Sequence, residues 1–426
     1  MRKVIIKVVL VVLIFSLIQP ASSDEKDDSI EGIIKFYLDA DQTGARSSGQ
    51  SIRQGILTAL SEIDNTIQGY RVELVIKDHH GSSPRSKKHL KEYLADSRAL
   101  VVFSGLHSPP ILNNLRFINE SQILMLDPWA AAAPITRYNN GLNWIFRLSI
   151  DDSKAGFVIA EHAVKVDQFR KIAFLLERTG WGKSNFATMT EALKQLDCAA
   201  IDVQWFNWNI GINAAKRILR KINKTGADCI MLVANSQEGK IFARAMSMLE
   251  KDKQLPIRSH WGITGGDFSE VIDSHIRSEL DLKFLQTSFS FMSTERIDNS
   301  EHPIAKHVLG IAMRLFPEEI QKASDIKAPT GFIHAYDLTK LLIAGMSEVK
   351  LSSNIKKDRI SLRASLENIK DPIQGLIKVY TTPFDEYSSE NRDAHEALNA
   401  SDYRMAVYGL HNEILLLEDE IGIIKH

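Results

Sequence analysis

Short apolar runs alternate with helical patterns from residue 32 to about residue 288, and this alternation confines the chain to a layered α/β architecture. The first series predicts strands at 32–38, 71–77, 101–103 and 123–126, with helices at 49–63 and 86–95 and another after the 107–110 turn. In the helix at 49–63, Ile52, Ile56, Leu57, Leu60 and Ile63 recur at helical spacing along one face. The second series predicts helices at 153–166, 184–196, 212–224 and 238–250 and strands at 171–176, 200–206, 229–233, 256–260 and 283–288. Strands this apolar, joined by helices, belong in parallel sheets covered on both faces. Two series imply two doubly wound lobes.

Open α/β sheets hold ligands outside the carboxyl ends of their strands. Those ends carry the loops 39–49, 104–110 and 127–133 in the first series and 177–184, 234–238 and 261–267 in the second. Lobes that face each other bring all six loops to one cleft, which is a hinged trap. The segment VVFSGLHSPPILNNLRFINESQILMLDPWAAAAPIT at 101–136 is the most informative part of that cleft. It sets the Ser108 hydroxyl and the N–H groups of a helix start beside the next loop, Trp129-Ala130-Ala131. A helix start of that kind suits a carboxylate or other anion. Ser108 is also a good helix cap, and it can serve both ends.

Reactive chemistry is missing from the pattern. Asp78-His79-His80-Gly81 has adjacent side chains that alternate in direction, without further ligands at a recognisable spacing, so no metal is expected. Thr264-Gly265-Gly266-Asp267 lacks the Gly-Lys-Ser/Thr ending of a phosphate loop. Neither a Gly-x-Ser-x-Gly elbow nor a Cys placed near a His occurs. The basic stretches 85–91 and 216–224 have helical spacing and read as solvated faces. The chain reads as a binder of a small molecule, with no cofactor and no catalytic residues.

Residues 1–23 read as an export signal: Arg2, Lys3 and Lys7, an apolar core at 8–18, and a small-residue site at Ala21-Ser22-Ser23. That core is shorter than the roughly 20 residues a membrane span needs. No cysteine follows it for lipidation, since the two cysteines are Cys198 and Cys229. Removing the signal takes away three positive charges and moves the net charge from −1 to −4, which argues against nucleic acid as a partner. Cys198 and Cys229 would flank the strand 171–176 on opposite sides, roughly 10 Å apart at ~4.8 Å per strand. A disulfide needs Cα atoms within about 7 Å, so two buried free thiols are expected.

From about residue 33 to 410 the chain resembles the type I periplasmic binding proteins, in the Leu/Ile/Val-binding branch that feeds ABC importers. Eight blocks in order carry the resemblance: TGARSSGQSIRQGILTALSEIDN, SGLHSPP, LDPWAAAAPIT, WIFRLSIDDSKAG, IAFLLERTGWGKSN, ADCIMLVANSQEG, PIRSHWGITGGDF and APTGFIHAYDLTKLLIAG. The resemblance implies a multi-strand hinge, with residues 30–148 and 289–375 in lobe one and 149–288 and 376–426 in lobe two. It implies a periplasmic monomer that passes a small ligand, related to amino acids or small carboxylates and amides, to ABC permease subunits. A ligand-sensing protein of the same fold, signalling to a membrane receptor, is the alternative, and fold does not separate the two.

The resemblance also implies site residues. Ser108 and the loop Trp129-Ala130-Ala131 would take the ligand's carboxylate, although Ala131 lacks the hydroxyl often found at its position. Trp181 before Gly182 stands where the family has an aromatic, and Asn235 where its amino-acid binders have another. Thr264 stands where an acid pairs with the ligand's α-ammonium group, and Asp267 is the nearest acid that could compensate. Trp261 is placed either in the cleft or half in the core.

Overall fold

A computed structural model describes residues 32–291, 304–352 and 354–417, so the expected export segment lies outside the described residues. The first sheet contains β1 (Gly32–Ala40), β2 (Thr66–Ile67), β3 (Tyr70–Asp78), β4 (Ala99–Ser104), β5 (Met125–Asp127) and β6 (Ile145–Arg147), in the order β2-β3-β1-β4-β5-β6. All its pairings are parallel except the short β2–β3 ribbon. β4 is buried along its whole length, as a central strand covered on both faces must be.

The second sheet contains β7 (Ile172–Glu177), β8 (Asp202–Phe206), β9 (Cys229–Val233), β10 (Ile257–Ser259) and β11 (Leu282–Thr287). The chain later forms a hairpin of β12 (Ile373–Gln374) and β13 (Val379–Tyr380), then adds β14 (Tyr403–Tyr408) and β15 (Ile414–Leu416) to the second sheet as antiparallel strands. The resulting order is β15-β14-β11-β10-β9-β7-β8. β8 and β9 lie on opposite sides of β7, and both cysteines are free; Cys229 is buried, but Cys198 is part-exposed, not buried as expected.

Between residues 305 and 366 the chain packs on the first sheet and its helices. The helix Pro329–Ser347 lies against the helix Arg46–Ser61, so closely that a Cβ on Gly55 would meet the Phe332 carbonyl at 2.3 Å. Residues 376–398, expected with the second lobe, make many of their contacts with the first, although Asp393 also pairs with Lys154. Asp337 accepts the N–H groups of Leu376 and Ile377 and the Tyr380 hydroxyl, Phe384 packs on Phe146, and His395 meets the Ile145 carbonyl. The reason is electrostatic: Glu396 is buried and needs the equally buried Arg147 of β6.

That pair belongs to a charge cluster where the chain passes between sheets. Arg147 contacts Asp151 at 3.0 Å, and Arg137 contacts both Asp151 and Asp393. Burial alone would raise the Asp151 carboxyl, but Arg147 and Arg137 hold it far below the carboxylate range. Breaking a buried pair by removing one partner costs about 3–5 kcal/mol, so the crossover is firmly fixed.

Candidate functional site

The first-sheet wall of the cleft is built by satisfying one loop's backbone. Asp127, at the end of β5, accepts the N–H groups of Trp129 and Ala130 and the Ser104 hydroxyl. Burial raises its pKa to about 6 while Arg147 and these donors oppose the rise. The carbonyls of residues 129–132 all turn to the crossover: Trp129 to Ser149, Ala130 and Ala132 to Arg147, and Ala131 to the Asp152 N–H. The Ala132 N–H goes to Ser108 at 3.3 Å and the Ala133 N–H to Ser184. Only the Ala131 N–H of this run lacks an acceptor among the described residues. Buried backbone donors are rarely left so.

Ser108 does not cap its helix. The cap position is His107, the helix Ser108–Leu112 has five residues, and Pro109 and Pro110 offer no N–H. The expected cluster of helix N–H donors therefore shrinks. The Ser108 oxygen instead ties the two first-sheet loops together through Ala132, and its O–H remains able to donate.

The second-sheet wall begins at Glu177, the last residue of β7. The following helix starts at Gly180, four residues before its expected position, because the Thr179 hydroxyl accepts the Gly182 N–H. Trp181 thus sits in a first turn, not in a loop. Its indole N–H donates to Asp152 at 3.2 Å, and its ring meets His260 edge-on. Gly182 is obligatory, since a Cβ there would lie 1.8 Å from the Glu177 carbonyl.

Between the walls lies a small cavity, lined by Ser108, Trp129 and Ala131 on one side and Glu177, Trp181, Asn235 and Trp261 on the other. Trp129 and Trp261 stack at 5.0 Å across the cleft, so Trp261 is both cleft lining and fully buried. The Ser48 hydroxyl also crosses the gap, donating to the Gly265 carbonyl at 2.6 Å.

Five of the eight expected residues therefore meet at the cavity: Ser108, Trp129, Ala131, Trp181 and Asn235. Ala130 is buried behind it as a backbone anchor. Thr264 spends its hydroxyl on the Trp261 carbonyl and faces Thr330. Asp267 does not turn into the cavity. It is half exposed, pairs with Lys240 and lines a separate surface groove.

Three residues escaped the sequence reading. Glu177 is 1% exposed and accepts from Asn235 Nδ2 at 3.2 Å and from the Thr179 hydroxyl. Burial pushes its pKa up to about 7, with Trp208 opposing and the nearby Glu238 reinforcing the rise. His107, opposite, sets Nε2 3.2 Å from Asp41 and leaves Nδ1 without a partner. Trp208 reaches from the second lobe to pack on His107, ring centroids 5.1 Å apart and tilted by 41°, and covers Gly81. The only signal for Glu177 was its place at the start of a cleft-facing loop.

The model of the periplasmic binding protein family matches residues 37–248. A Leu/Ile/Val-binding protein homolog of Brucella melitensis is 20% identical over 301 residues, covering 70% of this chain and 74% of its own length. A type 1 periplasmic binding protein of Bordetella pertussis superposes with a TM-score of 0.73 at 14% identity, over 90% of this chain and 99% of its own. An R. palustris ABC transporter solute-binding protein in complex with 4-hydroxybenzoate gives 0.71 at 16%, over 91% and 96%. A Streptococcus pneumoniae branched-chain amino acid transporter substrate-binding protein in complex with isoleucine gives 0.69 at 16%, over 90% and 100%.

Proposed function

This chain belongs to the type I periplasmic binding proteins, and we propose that it captures a small solute between its two lobes and delivers it to an ABC importer. The observation that supports this most is the Ala131 N–H, without an acceptor among the described residues, beside the Ser108 hydroxyl, both lining a small cavity at the carboxyl ends of two facing sheets. Two donors without an acceptor fit a carboxylate or amide oxygen of the ligand. The aromatic walls fit an apolar or ring-bearing body, each ring burying ~150–250 Å² when enclosed. Relatives held with isoleucine and with 4-hydroxybenzoate both carry a carboxylate on such a body.

Ser108, Trp129, Ala131, Trp181 and Asn235 form the binding surface, with Ala130 positioning the loop. Thr264 and Asp267 act outside it. Membership in a family of solute-binding proteins supports binding without catalysis.

The protein works in the periplasm as a monomer, released by cleavage after Ser23. No helix among the described residues is long and apolar enough to cross a membrane. N-terminal sequencing of exported protein should start at Asp24, and intact chain recovered with membranes would refute the cleavage.

A thermal-shift panel of small carboxylates, amides and amino acids tests the capture reading. At least one class should raise the melting temperature in a concentration-dependent way, as ligand binding to the folded state requires. A flat response across all classes would refute it.

A further inference from the structure

We infer that the cationic face of the helix Ile212–Lys224 docks the second lobe on a membrane leaflet that carries anionic phospholipid, by charge alone and without insertion. This does not depend on what the cleft captures.

Ala215, Leu219 and Ile222 line the buried side of the helix and pack into the core of the second sheet. Lys216, Arg217, Arg220, Lys221 and Lys224 cover its outer side, all exposed except the half-buried Lys216. No Asp or Glu occurs between Asp202 and Asp228, so this stretch of sequence does not neutralise them. Nor does the fold bring an acid to them. Among the described residues none of the five makes an ion pair, and Lys221 reaches only the Gln204 side chain. The other basic helix, Ser83–Ala95, is different: Lys88 pairs with Glu92, which also takes Lys77, and Lys87 lies over the Phe117 ring.

The unanswered charge works against the helix itself. Lys216, Arg220 and Lys224 follow one another at four-residue spacing, with Arg217 and Lys221 alongside, and like charges so spaced destabilise a helix. The helix dipole accounts for Lys221 and Lys224 in the last turn, but not for Lys216, Arg217 and Arg220. A chain with a formal net charge of −1 keeps this patch against its overall sign. The five charges lie within ~12 Å along the helix axis at ~1.5 Å per residue, so one cluster of lipid headgroups can face them all.

The chemistry of the face selects lipid over protein. Protein interfaces centre on aromatic and apolar anchors and are depleted in lysine, and this helix carries no exposed large hydrophobic residue. An anionic bilayer needs only clustered Lys and Arg within a screening length. The apolar side of the helix is already spent on the core, so it cannot sink into the headgroup layer as an amphipathic anchor does. The loop before the helix carries Trp208, which packs on His107 at the mouth of the cleft. Docking therefore brings that mouth towards the membrane.

The test is cosedimentation of the mature protein with phosphatidylcholine vesicles, with and without a third of phosphatidylglycerol. Binding is expected only with the anionic vesicles, with release at about 0.5 M salt, where screening acts within a few ångströms. A variant combining Lys216→Gln, Arg217→Gln and Arg220→Gln should bind more weakly by about fivefold per removed charge. Gln is a good helix former, so the helix is kept. A second variant, Arg85→Gln, Lys87→Gln and Lys88→Gln, removes the same charge from the other basic helix and should lose far less. No binding to anionic vesicles at low salt, equal binding to neutral ones, or equal loss in both variants would overturn the inference. Binding to native membranes but not to anionic lipid would assign the face to a protein and overturn it as well.

Discussion

At the scale of single residues, Glu177 is where the physical cost of the site is concentrated. Its folded pKa stands near 7, above the ordinary value of 4.5, because burial disfavours the charged form. Folding therefore draws full benefit from this group below its unfolded pKa and loses it as pH rises through 7. Glu177→Gln should raise the stability of the empty protein at pH 8 by roughly 2–3 kcal/mol and leave it unchanged near pH 4.5, read from denaturant melts. An equal effect at both pH values would mean that the carboxyl is already satisfied. Ser108 makes a different claim. Ser108→Ala should weaken ligand binding by about 1–2 kcal/mol, while stability falls by no more than the lost bond to Ala132. Unchanged affinity would remove Ser108 from the site.

At the scale of elements, the strands were largely legible because their apolar runs have no competing explanation. The helix Ile212–Lys224 and the strand β9 fall where the pattern put them. The start of the helix Gly180–Gln195 did not, because Gly180-Trp181-Gly182 has the composition of a loop. Only the tight approach to the end of β7 explains it. Gly182→Ala should destabilise the protein by about 1–3 kcal/mol, as overpacking does, and disturb the cleft through Glu177. A melting temperature equal to wild type would show that this turn yields freely. Ser108 was misread for a related reason. A serine followed by Pro-Pro looks like a cap, but its oxygen is taken by an amide 24 residues away, which no local pattern encodes.

At the scale of the whole molecule, the two facing sheets and their cleft followed from chain order and the strand-end rule. The partners of buried charges did not. Asp267 is removed from the cleft by Lys240, and residues 376–398 are drawn to the first sheet by Glu396. Both are tertiary pairings between residues far apart in sequence. Glu396→Ala should cost about 3 kcal/mol by removing one of the two buried carboxylates that pair with Arg147, measurable by chemical denaturation. A loss below 1 kcal/mol would indicate that the crossover cluster is solvated. One small solute should occupy the cavity between the lobes. Native mass spectrometry of freshly purified protein, beside an Ala131→Leu variant that fills the cavity, tests it most directly. A single solute should be bound at one per chain in the wild type and none in the variant. A wild type that retains no solute and gains none from a panel, or a variant that retains it equally, would rule out capture of a solute in this cavity.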